Sequence, residues 1–84
     1  MKVTIMGTRF VDGRNRDTGE VYSYVDLHCC CNSYDTSFNG QEVFNCRIYP
    51  KSICFDRARN LKPGSVIDAE IVINNYRKGI VNFA

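Results

Sequence analysis

The densest cluster of ligating and nucleophilic groups in this 84-residue chain is the run His28, Cys29, Cys30, Cys31. Three thiols and an imidazole could hold a tetrahedral zinc, and a thiol beside a histidine could serve as a nucleophile with its base. The spacing argues against both. The segment Glu20–Cys31 (EVYSYVDLHCCC) has the two-residue period of a strand, so successive side chains point to opposite sides and cannot converge on one ion. His28 and Cys30 share a face and could supply two ligands, but no CxxC pair exists to supply the others. Cys29 and Cys31 therefore read as small core residues, and no metal or other cofactor is expected. His28 is the only histidine, and no Ser–His–acid set can be assembled around it. Asp68 and Glu70 project to one face of a later strand, where a solvated surface is the simpler account. The chain reads as a non-enzyme with no catalytic residues and no small-molecule substrate.

A second chemistry is spread over four segments. Tyr22 and Tyr24 alternate on the outward face of the second strand, and Arg47 and Tyr49 do so on the third. Arg14 and Arg16 lie in the polar loop Asp12–Gly19, and Tyr76, Arg77 and Lys78 fall in the turn Asn75–Gly79. Rings can stack on unpaired bases at about 1–3 kcal/mol per base, while Arg and Lys neutralise phosphates. Taken singly, each residue has an ordinary structural explanation, because tyrosines fill half-exposed sheet positions and arginines solvate turns. Taken together they read as a surface for single-stranded nucleic acid. Lys51, Arg57, Arg59 and Lys62 are less specific, and Tyr34, Phe38 and Phe10 are ambiguous between packing and display.

The elements that would carry these residues form a simple series. Residues 2–11 alternate Val3 and Ile5 against Lys2 and Thr4, with Gly7 marking a bulge or bend. In Glu20–Cys31, Val21, Ser23, Val25, Leu27 and Cys29 face the core, opposite Tyr22, Tyr24, Asp26 and His28. Gln41–Tyr49 is a third strand with Phe44, Cys46 and Ile48 inward, and Pro50 and Ser52 open a short helix running to about Arg59. Val66–Asn74 and Ile80–Phe83 complete five strands. This order predicts an all-β domain over residues 1–84, a five-stranded OB-fold Greek-key barrel with a short helix between strands 3 and 4. An SH3-like barrel is the alternative.

Composition agrees with one small globular unit, since 44% of residues are hydrophobic, 24% are charged and the net charge is +2. A core of this size stabilises by only roughly 3–5 kcal/mol, which makes a homodimer an expected source of further stability. The first residues form neither a signal peptide nor a membrane span, so a cytoplasmic protein with reduced thiols and no membrane partner is expected.

The run Arg14–His28 (RNRDTGEVYSYVDLH) resembles the strand and basic wing of small single-stranded DNA-binding proteins of the filamentous-phage gene V type. The likeness covers the first third of the chain and continues only in element order. It implies a homodimeric OB-fold that coats single-stranded DNA cooperatively and with little sequence preference, in phage, plasmid or mobile-element replication or transfer. It also places Arg14, Arg16, Tyr22 and Tyr24 in a DNA-contacting wing. The three consecutive cysteines and the connection around Tyr34–Gly40 depart from that pattern. RNA binding and a protein-docking role are the alternative functions.

Overall fold

The structure, a computed structural model, describes every residue except Tyr34, Asp35 and Tyr76. Its elements are β1 (Lys2–Arg14), β2 (Val21–Asn32), β3 (Gln41–Ile48), α1 (Phe55–Arg59), β4 (Val66–Asn74) and β5 (Arg77–Phe83). The strands form an antiparallel five-stranded sheet in the order β3-β2-β1-β4-β5. The two end strands, β3 and β5, approach each other. Between them Lys78 Nζ meets Glu42 Oε2 at 3.1 Å.

One apolar face of this curved sheet encloses the core. Val3 and Ile5 of β1 and Leu27 and Cys29 of β2 are completely buried there, and β4 adds Ile67 and Ala69. Cys54 and Ala58, from the short helical segment, close one side. Every cysteine is free and buried. Cys29 and Cys31 belong to this core, as their alternation predicts. Among the described residues no helix is long and apolar enough to cross a membrane.

β1 departs from simple alternation at Met6, an extra residue that shifts the register between Ile5 and Gly7. A bulge of this kind lets two residues of one strand oppose one residue of its neighbour and changes which later residues share a face. Beyond it Thr8 pairs with Leu27 and Phe10 with Val25, so Phe10 returns to the inward side. Its ring meets Phe55 of α1, with Arg59 stacked 4.5 Å above it. The bulge is also pinned from the other flank, because Ile5 exchanges backbone hydrogen bonds with Gly64 and Ser65.

Three element boundaries differ from the sequence expectation. β1 continues to Arg14, so Arg14 stands on a strand rather than in a loop; its cross-strand partner is Val21. The connection is shorter because Asn15 closes it twice: its side chain accepts the Asp17 and Thr18 amides, and its carbonyl accepts the Gly19 amide. β5 begins at Arg77, since Asn74 already pairs with Arg77 and Asn75 turns the chain in the left-handed region at φ 51. The helix is confined to Phe55–Arg59, with turns before it where Pro50 and Ser52 were expected to open it.

The β1–β2 hairpin projects from the rest. Residues Val21–Tyr24 pair with β1 alone, because β3 joins β2 only from Val25 onward. The longest dimension is accordingly 47 Å, and the radius of gyration is 14.0 Å. A compact chain of this length has a value of about 12 Å.

Candidate nucleic-acid interface

Residues directly opposite each other on neighbouring strands share a face, so the registers define the outer surface row by row. Arg9, Asp26 and Arg47 form one row across β1, β2 and β3. On one side lie Val11, Tyr24 and Tyr49; on the other lie Gly7, His28 and Asn45. Tyr22 follows further out on the ribbon, opposite Gly13. The Tyr22 hydroxyl lies only 2.6 Å from where a Cβ on Gly13 would stand, so the missing side chain is what lets this ring lie across the strand.

The centre of the surface is a stacked group. The Tyr24 and Tyr49 rings are 5.9 Å apart and tilted by 57°, and the Arg47 guanidinium sits 4.4 Å above the Tyr24 ring. A hydrogen bond to Tyr49, with a smaller contribution from Tyr24, holds the Arg47 guanidinium above its ordinary basicity. Tyr22 and Tyr49 are about half exposed and Tyr24 less so.

Asp26 was expected on this outer face, and the register puts it there, yet it is buried. The burial comes from longer neighbours and not from the core. Its Oδ2 lies 3.5 Å from Arg9 Nη2 and 3.5 Å from His28 Nε2, while its Oδ1 has no hydrogen-bond partner among the described residues. Cys30, also on the outer side, is buried between Thr4 and Val43 in its row.

A groove of about 1090 Å³ runs between β3 and the β4–β5 hairpin. Arg47 and Tyr49 line one wall and Arg77 the other. The stacked group and the groove are thus continuous through shared side chains. Lys78 also borders the groove, but its ammonium is engaged by Glu42 and lies near the Phe44 ring.

Of the residues singled out in the sequence, Tyr22, Tyr24, Arg47 and Tyr49 share the outer face, and Arg77 joins them across the groove. Arg14 does not: paired with Val21, it projects from the opposite side of the ribbon. Arg16 is exposed in the turn at the ribbon's tip. Tyr76 lies outside the described residues. Arg9 belongs to the surface and was missed; the bulge at Met6 is the signal that would have placed it, because it sets Arg9 beside Asp26.

Of the cysteines, Cys46 borders the groove and Cys30 lies on the outer side, both buried. The Cys29 thiol donates a hydrogen bond to the Cys46 sulfur, and this bond together with burial raises its pKa far above the ordinary thiol value. Among the described residues no group of three or more His, Cys, Asp or Glu side chains could hold a metal ion.

No protein-family model, curated protein or solved structure matches this chain.

Proposed function

We propose that this chain is an OB-fold, non-catalytic single-stranded DNA-binding protein of low sequence preference. The barrel reading is supported by the strand order, by the approach of β3 to β5 and by the position of α1 between β3 and β4. The observation that carries the function is the stacked Tyr24–Arg47–Tyr49 group, which opens directly into a groove bordered by Arg77. Bases stack on the tyrosines, and the cations track the backbone from the ribbon to the hairpin. Binding is stoichiometric and leaves the nucleic acid unchanged.

Self-association accompanies this role. Val72 and Ile73, consecutive in β4, are both exposed; Val72 lines the groove, and Ile73, on the opposite face, offers the apolar surface for a second copy. The chain then works as a homodimer on single-stranded DNA in phage, plasmid or mobile-element replication, as its resemblance implies.

The test uses the chain's own fluorophores, since it has five tyrosines and no tryptophan. Titration with an oligothymidylate quenches tyrosine emission, and the affinity falls steeply between two salt concentrations. In the Tyr24→Ala, Tyr49→Ala double variant the affinity drops by at least about tenfold, from the loss of two stacking rings. Equal binding by that variant removes the site assignment, and tighter binding of an RNA of matched sequence moves the ligand from DNA to RNA.

A further inference from the structure

The outer surface contains one group that a purely phosphate-tracking and stacking surface does not need. Asp26 is an acid at the centre of a face otherwise suited to a polyanion, and its side chain is more than nine-tenths buried, at 9% exposure. Both of its polar contacts, from Arg9 and His28, are long at 3.5 Å and fall on the same oxygen. Oδ1 is buried and has no hydrogen-bond partner among the described residues, so a donor from outside reaches it only once the exposed Arg9 and His28 side chains turn aside. A carboxylate oxygen held this way is costly unless a donor reaches it.

Its neighbours say where that donor would come from. Asp26 and Tyr24 are alternate residues of β2, so they project from the same face about 6.6 Å apart. That separation suits a base stacked on the Tyr24 ring with one edge turned towards the carboxylate. In the free protein the place above Tyr24 is taken by the Arg47 guanidinium at 4.4 Å. Arg47 is an exposed side chain opposite Asp26, and a base that replaces it must also break its hydrogen bond to Tyr49 as the guanidinium turns towards a phosphate.

We propose that Asp26 is the base-selecting residue of this surface, accepting hydrogen bonds from a guanine stacked on Tyr24 in the position Arg47 occupies in the free protein. Guanine is the base whose Watson–Crick edge offers two adjacent donors, N1–H and the 2-amino group, to a carboxylate acceptor. Thymine offers one N–H flanked by two carbonyl oxygens, which a carboxylate repels. The selection is a local preference superimposed on tolerant binding, and it rests on the single-strand reading above.

The experiment compares three oligonucleotides on the intact chain: an oligothymidylate, the same strand with one guanine, and the same strand with inosine at that position. The guanine strand is expected to bind about fivefold tighter or better, in line with a paired hydrogen-bonding contact to a base edge. Inosine, which lacks the 2-amino group, loses part of that gain. Asp26→Asn, whose fold is checked by circular dichroism, abolishes the ratio of guanine-strand to oligothymidylate affinity that the unaltered chain shows, whatever its effect on the absolute affinity of both. Salt-dependent oligothymidylate binding with no guanine gain in the unaltered chain overturns this inference alone. Absence of binding to all three strands overturns the single-strand reading and this inference with it.

Discussion

The two halves of β2 are built from one continuous strand and have opposite fates. From Val25 to Asn32 it lies between β1 and β3, and Val25, Leu27, Cys29, Cys30 and Cys31 are all buried. From Val21 to Tyr24 it has β1 as its only neighbour, and Val21 and Tyr22 are exposed. The alternation of residue types is much the same in both. What differs is flanking structure: a strand with partners on both sides has its outer face roofed by neighbouring rows, whereas a two-stranded ribbon leaves both faces open. The half from Val25 onward builds the core, and the ribbon half leaves Val21 and Tyr22 open to solvent.

That contrast is most directly broken at Leu27, which is completely buried. Leu27→Ala should cost about 2–5 kcal/mol, enough to unfold much of so small a domain, as followed by urea denaturation. A loss no larger than that of a ribbon variant would contradict the division. The buried half should also respond to alkali. Cys29 holds its proton far above the ordinary thiol value of 9.0, so the folded chain retains a proton that the unfolded chain releases above that pH. The partner Cys46, whose pKa the hydrogen bond from Cys29 lowers, adds stability as pH rises towards 9.0, and above that pH Cys29 makes stability fall by at most about 1.4 kcal/mol per pH unit, a fall that Cys29→Ala should flatten.

On the ribbon the order of effects reverses. Tyr22→Ala should change stability by no more than about 0.5 kcal/mol while weakening oligothymidylate binding about fivefold, as read by titration and denaturation of the same sample. The smallest expected effect is at the groove's far wall. Arg77→Ala should reduce the slope of log affinity against log salt by about one, with little loss of stability.

Much of this was legible in the residues. The bounds of β4, Val66–Asn74, follow from its alternation, and the inward set Val25, Leu27 and Cys29 follows from that of β2. The rest depended on relations between strands. Arg9 and Phe10 could not be assigned to faces until the bulge at Met6 fixed the register. The burial of Asp26 was hidden because it comes from Arg9, His28 and the adjoining rows, contributed by different stretches of chain. Arg77 and Lys78 looked like loop residues because a turn at Asn75 in the left-handed region needs fewer positions than the polar run Asn75–Gly79 offers. Lys78 looked free because its acidic partner, Glu42, is distant in sequence.

The ribbon has a kinetic meaning as well. Under the proposed single-strand role, its turn would present Arg16 on a projecting ribbon of a 47 Å molecule, where a flexible polyanion would meet it before it meets the sheet. An outlying charge of this kind enlarges the capture radius for a passing strand, so a first loose encounter at the tip can be converted into alignment along the tyrosines. Shortening the hairpin would then lower the association rate while leaving the dissociation rate of the settled complex largely alone.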